Sequence, residues 1–226
     1  MFQNLIDILT SPNAAIKRLQ ENPTVLFPLL LLMAAMASMQ VGYIMLSDFG
    51  YMIDQMVDQA MAVNPNLREN DARALYENLS PTVLAISGGV GTPVFILIIY
   101  ALYAAYLNFV SKFGKQEYSF KHWFSLICWT SMPTLLVVIA AWVVILTSAT
   151  GQISQSDLQP LSIDSLLALN SGSALMQNLS LPQFWALGLL VLGYRHFTGK
   201  SIVTSALVAL APYILMYGIW VLITLL

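Results

Sequence analysis

Long windows without a charged residue are the feature that most constrains how this chain can fold. Several windows of about 20 residues hold no Asp, Glu, Lys or Arg, and at 1.5 Å per helical residue each could cross a hydrocarbon core of about 30 Å. Only 9% of the 226 residues are charged, whereas an average soluble domain is about one quarter charged. The sequence therefore predicts an all-α, polytopic membrane protein.

Five segments are predicted to cross the membrane: residues 24–46, 82–111, 123–146, 182–196 and 201–225. The second is longer than one crossing needs and is interrupted early by glycines and a proline. It forms either a kinked, tilted helix of about 28 residues or a span that begins at Pro93. The fourth is continuously apolar for only some 15 residues, so hydropathy leaves open whether it crosses fully.

The basic residues indicate the orientation of these segments. With five spans, the N-terminus and the second and fourth loops share one side and hold seven of the nine basic residues, namely Lys17, Arg18, Lys112, Lys115, Lys121, Arg195 and Lys200. Because Lys and Arg are enriched in cytoplasmic loops, the N-terminus is predicted inside and the C-terminus outside. Without the fourth crossing Arg195 and Lys200 would lie outside, so the charge pattern favours that crossing.

Two polar stretches are predicted to form amphipathic helices on the membrane surface. Residues 1–22 carry apolar side chains on one face and charged ones on the other, which is typical of a helix lying on the cytoplasmic side of the bilayer; a solvated leader is the alternative. Residues 47–80 are acidic and half apolar, too polar to span, and are expected on the opposite face. The chain thus divides into residues 1–22 and a five-span membrane domain over residues 23–226.

The spans contain little that indicates chemistry. No ionisable side chain lies deep in a span, which makes a proton-coupled or ion-coupled carrier less favoured. His122 and His196 have no HExxH or cysteine cluster near them, and no nucleophile elbow, P-loop or dinucleotide motif occurs. We predict no catalytic, metal or cofactor site and no nucleic-acid partner.

The remaining candidate residues concern helix shape and packing. Pro133 removes a hydrogen bond inside its span and is expected to bend the helix. Tyr100, Tyr103 and Tyr106 form an aromatic stripe that is typical of packing and interfacial anchoring. The candidate kink or packing positions are Gly88, Gly89, Gly91, Pro93, Asn108, Pro133 and Pro212.

Two parts of the chain share a pattern. Residues 78–81 (Asn-Leu-Ser-Pro) precede the second span and residues 178–182 (Asn-Leu-Ser-Leu-Pro) precede the fourth, and each leads through a basic Gly turn to a helix with a central proline. This favours a duplicated hairpin in parallel orientation; independent convergence on the same cap and turn residues is the alternative. Any working centre is expected between the helices that contain Pro133 and Pro212.

Several short motifs resemble the Yip domain family of five-span membrane proteins. They are residues 9–15 (Leu-Thr-Ser-Pro-Asn-Ala-Ala), the turn at residues 113–115 leading to Met132 and Pro133, and residues 192–195 leading to Pro212. The resemblance implies a helical integral membrane protein with a cytoplasmic N-terminus. Eukaryotic members interact with prenylated Rab-type GTPases and carry a longer N-terminal region. About 22 residues precede the first span here, so GTPase binding is not carried over, and the chain is similar to the bacterial, inner-membrane form.

The sequence therefore leads to two hypotheses about function. The first is a non-enzymatic, multi-pass cell-membrane protein that acts through helix or lipid contacts in membrane organisation, with other membrane proteins or further copies of itself as partners. The alternative is a small-solute channel or transporter built on the duplicated hairpin.

Overall fold

The computed structural model describes residues 2–114, 118–169, 171 and 173–225. Every regular element in this part of the chain is a helix: α1 (Phe2–Thr10), α2 (Pro12–Glu21), α3 (Leu26–Leu46), α4 (Phe49–Val63), α5 (Glu69–Tyr76), α6 (Pro81–Lys112), α7 (Phe120–Thr130), α8 (Leu135–Thr147), α9 (Ile163–Leu166), α10 (Ala174–Asn178), α11 (Leu181–Thr198) and α12 (Ile202–Leu225). The predicted all-α fold class is confirmed.

Four helical segments of the described chain are long and apolar enough to cross a membrane: Leu26–Leu46, Pro81–Lys112, Phe120–Thr147 and Ile202–Leu222. They confirm a multi-pass membrane protein. The helix that contains the fourth predicted span, α11, is 18 residues long and is not one of these four. Its charged last turn, with Arg195 and His196, lowers its hydropathy.

The second predicted span is one continuous helix of 32 residues, with Pro93 in its interior. The structure thus has the long helix and not a span that begins at Pro93. Pro81 occupies the first turn, where a missing N–H is least costly. Ser80 caps the helix, since its Oγ accepts a hydrogen bond from the Val83 N–H at 3.3 Å.

The third predicted span is broken where Pro133 was expected to bend it. α7 ends at Thr130, a 3₁₀ turn covers Met132–Thr134, and α8 begins at Leu135. Hydroxyl groups bond to the carbonyls around this break: Ser131 Oγ donates to Ile127 O at 2.8 Å and Thr134 Oγ1 donates to Ser131 O at 2.7 Å. Pro212, by contrast, lies inside the continuous helix α12.

α7 is the centre of the bundle. All eight residues from 123 to 130 are buried, whereas a helix at the edge of a bundle buries a single stripe. The helix is covered by contacts with α1, α2, α3, α6 and α11. Trp123 and Trp129 are its largest fully buried side chains.

The N-terminal 22 residues form two helices, α1 and α2, that fold together. Ser11 separates them, and an ion pair between Arg18 and Asp7 joins their polar faces. The apolar faces bury Ile8 and Ile16 completely against the rest of the bundle. The face that the sequence predicts to be apolar is thus directed toward protein.

Contacts place the ends of several helices at two opposite ends of the bundle. At one end, the Gln20 side-chain amide donates to Tyr118 Oη at 3.1 Å and to the His196 carbonyl at 2.9 Å. This end therefore gathers α2, the start of α7 and the end of α11. Lys115, predicted in the same basic loop, lies outside the described residues.

At the other end, the chain after α8 packs on α3 and α4. Tyr43 Oη donates to the Ile153 carbonyl at 3.1 Å, and the Asp48 N–H donates to Gly151 O at 2.8 Å. Arg73 of α5 pairs with Asp54 of α4 at 2.8 Å, and this hydrogen bond raises the pKa of the Arg73 guanidinium. The acidic residues 47–80 and the described part of residues 148–180 thus share one end.

A polar cavity between two helical hairpins as the candidate functional site

Four helices form a closed ring that contains the candidate site. α6 packs on α7, α7 on α11, α11 on α12, and α12 on α6. The contact between α7 and α11 includes the rings of Trp123 and Tyr194, whose centroids are 5.6 Å apart. Between α6 and α12, Tyr106 Oη donates to the Val208 carbonyl at 3.0 Å, and Tyr103 Oη donates to Ala209 O.

The two halves of this ring begin with equivalent caps. Ser180 Oγ accepts from the Gln183 N–H at 3.4 Å, as Ser80 does at the start of α6, and each serine is followed within two residues by a proline. Such caps stabilise the start of a helix by about 1 kcal/mol. The similarity that the sequence shows between residues 78–81 and 178–182 thus corresponds to the same local structure.

A neighbour of Pro133 and a neighbour of Pro212 line the same cavity. Thr134 follows Pro133 and Tyr213 follows Pro212, and both residues are part of the cavity wall. The structure therefore places residues beside the two prolines around one cavity, although they are distant in sequence.

The cavity has a volume of about 80 Å³, and its walls come from all four helices and the 3₁₀ turn. The apolar lining residues are Ile127, Ala186, Leu187 and Leu190. The polar ones, which carry hydroxyl or amide groups, are Tyr100, Tyr103, Thr130, Ser131, Thr134, Gln183 and Tyr213. A water molecule occupies about 30 Å³ of liquid, so this space fits two or three waters or a very small neutral solute.

Most of the polar groups around the cavity already donate a hydrogen bond. Thr130 Oγ1 donates to Ile127 O at 3.3 Å, and the Gln183 side-chain amide donates to Tyr217 Oη at 3.2 Å. Hydroxyl oxygens that donate still hold lone pairs that can accept. The site can therefore bind a neutral donor such as water, and its described lining includes no Lys, Arg, Asp or Glu that would hold an ion.

Two of the other candidate residues, Gly88 and Gly89, lie where α6 crosses α3. A Cβ added at Gly88 would be 2.8 Å from Gln40 Cγ, and one added at Gly89 would be 2.8 Å from Val41 Cγ2. A larger residue at either position would require Gln40 or Val41 to move, or the two helices to separate. Gly91 has no atom within 4 Å of an added Cβ.

Pro93 and Asn108 complete the candidate set. Both lie within α6, and the Asn108 carbonyl accepts a hydrogen bond from Ser111 Oγ at 2.9 Å. Neither lines the cavity, so Pro133 and Pro212 are the candidate residues whose immediate neighbours do.

The sequence interpretation missed the polar wall of the cavity. Tyr100 and Tyr103 fit the predicted packing stripe, yet both also face the cavity, and Gln183 was not singled out. The usable signal was the occurrence of Ser, Thr and Tyr within two residues of the two prolines. Within the described residues, no group of three or more His, Cys, Asp and Glu is placed to hold a metal ion.

A protein-family model described as the Yip1 domain matches residues 6–223. The comparisons with curated proteins and with solved structures gave no match.

Proposed function

The chain belongs to the Yip1 domain family, and on that premise we propose a five-span, non-enzymatic membrane protein that acts through contacts of its outer helices. The contacts are with lipid, with other membrane proteins or with a second copy of the chain. Its proposed location is a cell membrane, and the bacterial inner membrane follows from the sequence resemblance alone. The family is a membrane-protein family that is not known for enzymatic activity.

The contacts of α11 support a fifth crossing. Its first residue, Leu181, pairs with the segment after α8, since the Leu181 N–H donates to Leu161 O at 3.1 Å. Its last turn contacts the opposite end, where the rings of Phe197 and Tyr118 are 4.8 Å apart. α11 thus connects the two ends of the described bundle, which a helix that turned back would not do.

The fourth crossing is also expected to be short. Gly193 lies against Leu126, and from this pair both helices can be extended at 1.5 Å per residue. Leu181 then lies near the level of Val138, on the order of 15 Å before the end of α8. The described part of residues 148–180 would fill the remaining height.

Reporter fusions test this topology. A reporter that is active only outside the cytoplasm is expected to be active after residues 60 and 160 and inactive after residues 116 and 200. The pair at 160 and 200 isolates α11, because equal activity at both would mean that it does not cross. Equal activity at residues 60 and 116 would overturn the whole arrangement.

The observation that carries the functional proposal is the exposure of α6. Only 6% of its apolar window is buried, against 39% for the segment Phe120–Thr147. Its exposed side chains include Phe95 and Ile98, at 65% and 50%. A helix that offers most of its apolar surface to its surroundings must be covered by lipid or by another protein.

Photo-crosslinking in native membranes tests that proposal. A photoreactive residue at Phe95 or Ile98 is expected to give discrete protein adducts, whereas one at the fully buried Ala104 or Leu107 is expected to give none between chains. Buried positions on the same helix control for expression and insertion. A strictly monomeric particle in mild detergent, with neither bound protein nor bound lipid, would contradict the proposal.

A small-solute pathway is the second candidate function, and the cavity beside Pro133 and Pro212 is the observation that favours it. Reconstituted vesicles are expected to show no flux of small neutral solutes under the first proposal. Flux that falls when both prolines are replaced by alanine would favour the pathway. Flux that survives those changes, and the replacement of Gly88, Gly89 and Gly91 by leucine, would remove its structural basis.

A further inference from the structure

A second, open pocket lies where α11 ends and α12 begins. Its volume is about 640 Å³, and Arg195, His196 and Lys200 contribute to its wall. The ion pairs of the described chain involve Arg18, Arg68 and Arg73. Within that part of the chain, Arg195 and Lys200 therefore have no carboxylate partner.

A tight turn brings the two cations together. Gly199 ends α11 in the left-handed region, with φ +66°, and its N–H donates to Arg195 O at 2.8 Å. Glycine adopts this conformation without the strain that a Cβ would cause. The chain then needs only Lys200 and Ser201 before α12 begins at Ile202.

Within the described residues, the turn between α11 and α12 brings two basic side chains into the pocket wall without an acidic one. A cation near a helix C-terminus is favourable, so Arg195 suits the end of α11, but Lys200 lies at the start of α12, where the helix dipole is also positive. Among the described residues that line the pocket, none is an Asp or Glu. The pocket thus offers two positive side chains to an anion.

α2 closes one side of the pocket and holds His196. His196 Nε2 lies 3.0 Å from Asn13 Oδ1, and the His196 carbonyl accepts from Gln20. The imidazole is thus engaged with α2, which leaves Arg195 and Lys200 as the groups available to an anion. A guanidinium presents paired donors that match phosphate oxygens.

Apolar surface continues from the pocket toward the interior of the membrane. Leu192 lies in the pocket wall one turn before Arg195, and the first turns of α12 leave Val203 and Leu207 exposed at 65% and 64%. A soluble phosphate would leave this surface uncovered, whereas a lipid chain would lie along it. Basic pockets at the cytoplasmic ends of spanning helices suit anionic headgroups.

We propose that the pocket formed by Arg195 and Lys200 binds the phosphate of an anionic phospholipid, whose chains lie along α12. The inference rests on the proposed membrane placement of this end of the bundle. It does not depend on whether α6 contacts another protein.

Lipid titration of the purified protein tests the site. Native mass spectrometry in detergent would measure binding of phosphatidylglycerol and phosphatidylcholine to the wild type and to a variant with Arg195→Gln and Lys200→Gln. We expect the wild type to prefer phosphatidylglycerol and the double variant to bind it on the order of tenfold more weakly. The matched control, Lys17→Gln with Lys112→Gln, removes the same charge from the same end and should retain wild-type binding.

Four outcomes would overturn the inference. They are equal binding of both lipids by the wild type, unchanged binding by the Arg195 and Lys200 variant, an equal loss in the control, and displacement of the lipid by inorganic phosphate at comparable concentration. The last would identify a soluble phosphate compound as the ligand.

Circular dichroism of both variants shows whether they are folded. The variant with Arg195→Lys and Lys200→Arg keeps both charges and should bind as the wild type does. Lipid affinity and the adducts at Phe95 are separate readouts, so either proposal can fail while the other stands.

Discussion

Replacing Trp129 by alanine is expected to lower the free energy of unfolding by about 3 to 5 kcal/mol. Trp129 is completely buried in α7, and its ring packs on Phe27 with a centroid distance of 5.9 Å. Its Nε1 donates to both the carbonyl and the hydroxyl oxygen of Thr24 at 3.0 Å. The variant therefore loses packing and also the bond that joins α7 to the start of α3. Reversible unfolding in mixed micelles, followed by circular dichroism, measures the difference.

The matching change at Trp123 separates packing from hydrogen bonding. Trp123 is equally buried, but its Nε1 has no hydrogen-bond partner among the described residues. Trp129→Phe is expected to cost about 1 kcal/mol more than Trp123→Phe, the net value of one hydrogen bond. Ser125 Oγ also donates to Thr24 O at 2.8 Å, so that carbonyl stays paired and the difference stays modest. Equal losses at both positions would show that the Thr24 contact contributes nothing.

The sequence was informative where a local rule decides the structure. The serine and proline before the second and fourth predicted spans indicated helix starts, and Ser80 and Ser180 cap α6 and α11. Pro133 indicated a bend, because it removes a hydrogen bond inside its span, and the helix is broken at that point, whereas α12 stays continuous around Pro212. Long windows without a charged residue likewise indicated the four apolar helical segments that can cross a membrane.

The sequence was not informative about which helix lies at the centre. α6, α12 and the segment that contains α7 all qualify as apolar spans, yet residues 123–130 of α7 are all buried and only 6% of the window in α6 is buried. Lipid chains are as apolar as leucine. Hydropathy therefore indicates that a helix lies in the membrane, but it does not indicate whether lipid or protein surrounds that helix. The cavity could not be predicted for the same reason. Gln183 and Tyr100 line it together only because particular faces of α11 and α6 pack toward each other, and hydropathy does not indicate those faces.

The amphipathic N-terminus shows a related ambiguity. An apolar stripe with charges opposite is typical of a helix on a bilayer, and it is equally typical of a helix packed on protein. Ile16 is completely buried in the described bundle, and Gln20 bonds to two distant elements. Hydrogen bonds from polar side chains such as Gln20 to specific residues distinguish a helix packed on protein from one on a bilayer. The partners of Gln20 are more than 90 residues away in sequence, so the sequence pattern of the helix does not indicate them.

Replacing Gly193 by alanine is expected to lower the free energy of unfolding by about 2 kcal/mol, a typical cost of overpacking a core. An added Cβ would overlap Leu126 Cδ1 and lie 3.0 Å from its Cδ2. Leu126 is completely buried, so either its side chain must take another rotamer within the core or α11 must shift away from α7, and both cost free energy. That shift would also widen the cavity, because both helices form its walls. Gly188→Ala on the same helix is the control, since nothing lies within 4 Å of its added Cβ.

The double variant Leu126→Ala with Gly193→Ala makes the test specific to this contact. Shortening Leu126 alone costs about 2 to 5 kcal/mol, because it leaves a cavity. With both changes the new methyl group occupies part of that space, so the combined loss is expected to be at least about 1 kcal/mol smaller than the sum of the single losses. Unfolding of all four proteins under one set of conditions gives this coupling. Strictly additive losses would show that Gly193 does not set the distance between α7 and α11. The short crossing proposed for α11 would then lose its support, because it was obtained by aligning the two helices at the contact of Gly193 with Leu126.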